Sequence, residues 1–177
     1  MALRGMARIE KESGVKVRWV PWEGRPEGVP FLERTPEEAE RLLAKHSSIA
    51  SKYDLTLIFP QKKCRTRLAH QATLFARDQG RMGAFRDAVY RARFQEDLGI
   101  GDPEVLVSLV EGVGLDGPAL RQALDREVYA PELDAMRRQG KSLGVEKIPS
   151  YAVDGRIIWG TDPTEEVLEA LMKRPMA

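Results

Sequence analysis

The chain has 177 residues, of which 42% are hydrophobic and 31% charged. That balance supplies one packed core and a solvated surface, and it excludes a disordered polymer. Lys and Arg number 28 against 27 Asp and Glu, a net charge of +1, so no electrostatic footprint recruits nucleic acid or an anionic membrane. The single cysteine, Cys64, excludes an intramolecular disulfide and a thiolate metal site.

Leu3, Met6 and then Ala7 or Ile9 recur at three- to four-residue spacing and predict a helix ending at Ser13-Gly14. No capping residue precedes Leu3, so this helix reads as starting in its middle. Val15 to Val20 alternates apolar and basic side chains, the pattern of a strand with one buried face, and Pro21 stops it. Trp22 to Pro36 is punctuated by Gly24, Pro26, Gly28 and Pro30 and reads as an ordered loop. Thr35, Pro36 and Glu38 form a capping box for a helix running to about Tyr53. A short apolar run, Leu55 to Phe59, ends at Pro60.

From about Arg65 the period is helical. One stripe is Leu68, Ala72, Phe75 and Ala76, closed by Gly80; the next is Phe85, Val89, Ala92 and Phe94. Asp102-Pro103 opens a third helix, Asp116 a short fourth, and Pro131 a fifth that Gly144 closes. The period then changes. Ile148 to Val153 reads as a strand, Asp154-Gly155 as a hairpin turn and Arg156 to Trp159 as the return strand. Thr161 or Asp162 caps a last helix with Pro163 at its start.

Strands near both ends with helices between them predict an α/β fold. In it, residues 1–60 and 145–177 share one sheet and residues 61–144 are an all-helical insertion. The N-terminus lacks the apolar stretch of a secretory signal, and no apolar run approaches the roughly 20 residues of a membrane span. A cytoplasmic address is expected, with no membrane partner.

Four stretches carry a resemblance. They are Val17-Arg18-Trp19-Val20-Pro21-Trp22 with Arg25-Pro26-Glu27; Arg67-Leu68-Ala69-His70 with Phe75-Ala76; Phe94-Gln95-Glu96-Asp97 through Gly114-Leu115-Asp116; and Gly144-Val145-Glu146-Lys147-Ile148-Pro149-Ser150-Tyr151-Ala152-Val153. In this order and spacing they resemble the DsbA-like family of thioredoxin-fold thiol oxidoreductases, in its FrnE-like and 2-hydroxychromene-2-carboxylate-isomerase-like branches. Trp159-Gly160-Thr161-Asp162 is similar to the isomerase and kappa-class glutathione-transferase branch, while the loop after Trp22 is closer to the FrnE-like one. The branch stays open.

The resemblance implies a thioredoxin-like sheet with an inserted helical subdomain. It also implies a Cys-x-x-Cys, or a single Cys or Ser, after a first strand, where a helix N-terminus stabilises thiolate. Against that pattern the chain is read as starting inside the first helix, with the first strand and the nucleophile both missing. The sheet then closes by an upstream segment, by Val15–Val20 pairing directly with Tyr151–Val153, or by a partner chain, so a homodimer is one expectation. The expected function is a DsbA-family thiol-disulfide oxidoreductase homologue without redox activity of its own. The alternatives are a glutathione-dependent isomerase or transferase and a non-catalytic peptide-binding module.

No residue is assigned a catalytic role. The resemblance places a cis-proline at Pro149, with the backbone of Ile148 pairing with a bound peptide or glutathione. Trp22 and Trp159 are candidates to line a cleft beside it, with Trp19, against a plain core or rim role. The expected partner is a thiol or disulfide protein or a glutathione-like small molecule; no other cofactor is implied. His46 and His70 lack a carboxylate at i+3 or i+4 and give no metal spacing. His70 reads as an acid–base group or, more commonly for this pattern, a partly buried histidine bonded to a neighbour, and His46 as a surface residue. Lys62, Lys63, Arg65 and Arg67 form a basic cluster, read as a solvated face or as a hold for an anionic substrate. Cys64 reads as a small buried apolar side chain.

Overall fold

The computed structural model describes residues 2–58, 60, 61 and 63–173. Phe59 of the apolar run and Lys62 of the basic cluster lie outside them, as does the side chain of Leu3. The elements are α1 (Ala2–Ser13), α2 (Pro36–Ser51), α3 (Arg67–Asp78), α4 (Met82–Phe94), α5 (Pro103–Gly112), α6 (Gly117–Asp125), α7 (Ala130–Ser142), β1 (Ser150–Val153), β2 (Arg156–Trp159) and α8 (Thr164–Met172).

Local chemistry sets most boundaries. At α2 the Thr35 hydroxyl accepts from the Glu38 N–H (3.2 Å) and the Glu38 carboxylate accepts from the Thr35 N–H (3.0 Å). These bonds satisfy donors that a helix start leaves orphaned. Asp102 caps α5 through the Glu104 N–H (2.9 Å), and Asp116 caps α6 through the Ala119 N–H (2.8 Å). Asp154 (φ 48°) and Gly155 (φ 78°) both lie at positive φ, as the tightest hairpin turn requires. They set the antiparallel register Ser150–Trp159, Tyr151–Ile158, Ala152–Ile157, Val153–Arg156.

Among the described residues, most of the buried apolar side chains fall in two clusters. One is helical, with Ala72 and Ala76 of α3, Phe85 and Val89 of α4, Leu106 and Val110 of α5, and Leu120 and Leu124 of α6. The other joins the chain's two ends: Met6 and Ile9 of α1, Val153 and Ile158 of the hairpin, and Val167 and Leu168 of α8. Arg8 of α1 adds ion pairs to Glu12 (2.7 Å) and to Glu165 of α8 (2.5 Å).

The expected strand Val15–Val20 is corrected. Its alternation survives: Val15, Val17 and Trp19 are half-buried, whereas Lys16, Arg18 and Val20 are exposed. It joins no ladder among the described residues, because the sheet there is β1–β2 alone. The direct pairing with Tyr151–Val153 does not form. Side chains bind the segment's backbone instead, Val17 N–H donating to the Glu10 carboxylate (2.8 Å) and Val15 N–H to the Ser13 hydroxyl (3.3 Å). Packing supplies the rest: Val17 and Trp19 lie against the terminal cluster, and the Arg86 guanidinium of α4 sits 4.5 Å from the Trp19 ring centre.

Smaller departures have local causes. β1 starts at Ser150, past the proline, which has no N–H for a ladder. The N-cap of α8 is Pro163, and neither Thr161 nor Asp162 caps it. The Asp162 carboxylate is occupied elsewhere, accepting from the Tyr53 hydroxyl (2.5 Å) and the Thr164 hydroxyl (3.1 Å). Phe94, expected in the α4 stripe, is exposed and packs against Tyr90 with ring centres 6.2 Å apart.

Candidate functional site

The loop leading into β1 gathers the candidate residues. The Ile148–Pro149 peptide is cis. Ser150 donates its hydroxyl to the Lys147 carbonyl (2.5 Å), and the Gly160 N–H donates to the Pro149 carbonyl (3.3 Å), extending the hairpin by one bond. Trp159 faces solvent at the mouth of the hairpin, with the Lys147 ammonium 4.8 Å from its ring centre. Ile148 is 54% exposed and Trp159 57%. Large apolar side chains this open form a surface suited to an apolar contact. The β1 edge away from β2 is unpaired among the described residues, so its N–H and C=O groups face outward from the ladder.

Trp22 has a seat on the helical block. Its indole lies directly on Gly140 of α7, so close that a Cβ there would run into the ring. Between the two places stand Glu23 and Gly24. Glu23 is 1% exposed and its carboxylate accepts from Arg67 (3.1 Å), which also grips Asp134 of α7 through two nitrogens (2.9 and 3.2 Å). Gly24 faces Ile148: a Cβ at 24 would lie 3.5 Å from the Ile148 Cδ1, in ordinary contact.

Sequence reasoning missed a set of phenols behind the hairpin. The Tyr151 hydroxyl is buried without a hydrogen-bond partner among the described residues. Burial, then the charges of Asp162, Tyr90 and Tyr53, push its pKa up to about 12. Tyr53 is also raised, by burial and by donating to Asp162. Tyr53, Tyr90, Tyr151 and Asp162 are far apart in the chain, and no local pattern flags them.

The other candidates have plain roles. His70 donates to the Trp22 carbonyl, and burial lowers its pKa to about 4, so the ring is neutral near pH 7. His46, expected on the surface, is half-buried on α2. The basic cluster is dispersed. Lys63 pairs with Glu33 (2.6 Å); Arg65 donates to the carbonyls of Arg25, Pro26 and Val29 and covers the Phe31 ring; Arg67 holds Glu23 and Asp134. Each described cation staples the loop after Trp22. Cys64 is half-buried against the helical cluster, its Cβ 3.3 Å from where a side chain on Gly101 would begin. Among the described residues no group of three or more His, Cys, Asp or Glu side chains is placed to hold a metal ion. No helix among them is long and apolar enough to cross a membrane.

A hairpin entered through a cis-proline, two helices packed on it and a helical block between the chain's ends define a thioredoxin-like α/β protein with a helical insertion. The chain belongs to the family described as DSBA-like thioredoxin domain, whose model matches residues 1–172. It is similar to the uncharacterized protein YwbO of Bacillus subtilis (strain 168), 28% identical over 85% of this chain and 78% of that one. It is also similar to the 2-hydroxychromene-2-carboxylate isomerase of Sphingobium xenophagum, 32% identical over 64% of this chain and 57% of that one. Among solved structures, the probable DsbA oxidoreductase SCO1869 of Streptomyces coelicolor superposes with a TM-score of 0.72 at 27% identity, covering 81% of this chain and 65% of that one. A 2-hydroxychromene-2-carboxylate isomerase superposes with a TM-score of 0.77 at 15% identity, covering 94% and 85%, a likeness of fold. The chain thus spans just under two thirds of the Streptomyces structure and somewhat over half of the Sphingobium enzyme.

Proposed function

We propose that this chain is a homologue of the thiol-disulfide oxidoreductases that binds thiol- or disulfide-bearing substrates along the free edge of β1 and carries out no dithiol redox step by itself. The observation that carries this reading is the unpaired β1 edge with the exposed side chains of Ile148 and Trp159 at its start. An extended peptide adds to such an edge through main-chain hydrogen bonds, and flanking apolar side chains supply selectivity. The second half follows from the composition: with Cys64 as its one thiol, the chain cannot cycle between a dithiol and an internal disulfide.

Two measurements test it. The isotope-labelled chain is titrated with a disulfide-bridged unfolded peptide and, separately, with oxidised glutathione, and amide resonances are followed. Movement of Ile148 and residues 150–153 is expected with the peptide, as is weaker binding by Ile148→Ala. In parallel, insulin reduction by dithiothreitol is expected to proceed at the uncatalysed rate. Undisturbed resonances in this stretch, or clear acceleration of insulin reduction, defeat the reading.

A second reading, a glutathione-dependent isomerase or transferase, is favoured by Tyr151. A buried hydroxyl with no partner, near the Asp162 carboxylate, is a hydrogen-bonding group available to a small ligand. Resonance changes centred on Tyr151 and Asp162 with glutathione, and none with the peptide, would favour it over the first.

A further inference from the structure

We propose that Glu23 is a positioning residue: Arg67 of α3 holds Glu23, Glu23 fixes Gly24, and Gly24 sets how far Ile148 projects beside the β1 edge. The inference rests on the ligand edge proposed above, and it links that edge to the helical block.

The segment Trp22–Gly24 is clamped from several sides. The Trp22 ring lies on Gly140 of α7, and the Trp22 carbonyl accepts from His70 of α3. One residue on, the Glu23 carboxylate accepts from Arg67, whose guanidinium is fixed by its two bonds to Asp134 of α7. A planar fork held by one carboxylate presents its remaining hydrogens in set directions, and the second hydrogen of Nη1 points to Glu23. Every one of these anchors belongs to α3 or α7. Gly24, which follows the clamped residues, lies against the Ile148 side chain. A movement of α3 against α7 is thereby passed to Ile148, the exposed apolar residue just before the cis-proline.

The chemistry of Glu23 argues against a role in stability alone. It is 1% exposed, yet its second oxygen, Oε1, has no hydrogen-bond partner among the described residues. A buried carboxylate with half its acceptors unused is a costly way to fill space, and an apolar residue of similar size does that better. What Glu23 supplies is a directional link to Arg67 (3.1 Å).

The test compares Glu23→Gln, Ile148→Ala, the double variant and Gly24→Leu. Affinity for the disulfide-bridged peptide and the Ile148 δ1-methyl resonance are measured in each where that residue is present. Glu23→Gln keeps the shape and removes the charge. It is expected to weaken the peptide at least fivefold and to move the Ile148 methyl resonance, which a loss of global stability alone leaves in place. In the Ile148→Ala background it is expected to add no further loss, because the two residues act in series. Gly24→Leu displaces Ile148 without touching Arg67, so it is expected to reproduce both effects should Glu23→Gln fail to fold. An unmoved methyl resonance in both Glu23→Gln and Gly24→Leu, or fully additive losses, overturns the proposal. If Ile148→Ala binds the peptide like the parent chain while Glu23→Gln still moves the methyl resonance, the positioning role stands and the proposed ligand edge falls.

Discussion

Replacing Gly140 by alanine separates two opposed effects. Gly140 lies within α7, where alanine is favoured over glycine by about 1 kcal/mol in a helix interior. Its position against Trp22 works the other way. A Cβ there would overlap two atoms of the indole six-membered ring and crowd a third at 3.2 Å. The indole is rigid, so the whole ring must move. Forcing a methyl into a packed contact costs about 1–3 kcal/mol, and the three-atom overlap places this site in the upper half of that range. The net expectation is a loss of about 1–2 kcal/mol, which for a chain of this length lowers Tm by about 2–8 °C. Thermal unfolding followed by circular dichroism gives the sign, and tryptophan emission should shift as Trp22 leaves its seat. Gly83 in the first turn of α4 has open space around it, with nothing within 4 Å of where a Cβ would sit, and serves as the control. Gly83→Ala should be neutral or stabilising by up to about 1 kcal/mol. A Gly140→Ala protein as stable as the control variant would refute the seating of Trp22 on α7.

Thr35→Ala removes half of the capping box and should cost about 1 kcal/mol in urea unfolding, whereas Thr35→Ser should restore most of it. An unchanged unfolding midpoint in Thr35→Ala would count against the cap. For His70, burial lowers the folded-state pKa from 6.5 to about 4, so the unfolded chain takes up the proton first. Its contribution is therefore complete above about pH 6.5 and is lost as pH falls toward 4, by up to about 3 kcal/mol. Urea unfolding at pH 7 and pH 4.5 should show this loss, and His70→Gln should reduce it. A His70 resonance titrating near 6.5 would contradict the burial.

Features written in adjacent residues are legible in the sequence itself. Thr35-Pro36 with Glu38, Asp102-Pro103 and Asp116 each carry a helix start in a few atoms of local chemistry, and Asp154-Gly155 carries the hairpin turn. Val15–Val20 is legible only in part. Alternation reports which side chains are buried, and that much holds, but a ladder depends on a neighbour the segment does not encode. Asp162 shows the same limit, since the hydroxyl that occupies its carboxylate comes from Tyr53, 109 residues away. In the candidate site, the hairpin register sets Trp159 opposite Ser150, and the Gly160 N–H bond to the Pro149 carbonyl carries the pairing one residue further. The seat of Trp22 is not legible in the sequence, because its partner is a bare Cα on α7 and a glycine inside a helix gives no sign of what rests on it. The basic run at Lys63, Arg65 and Arg67 looks collective, yet each cation answers to a separate acceptor in the loop it follows.

The alternation at Val15–Val20 has a consequence for how copies of this chain meet. A ribbon with no ladder partner among the described residues can pair with another strand through those backbone groups that no side chain already bonds. The same alternation sets Lys16 and Arg18 on its outer face, so a second copy approaching in the same way brings cation against cation. Lys16 and Arg18 are therefore expected to discourage strand pairing between copies, and added salt, which screens them, is expected to weaken that effect.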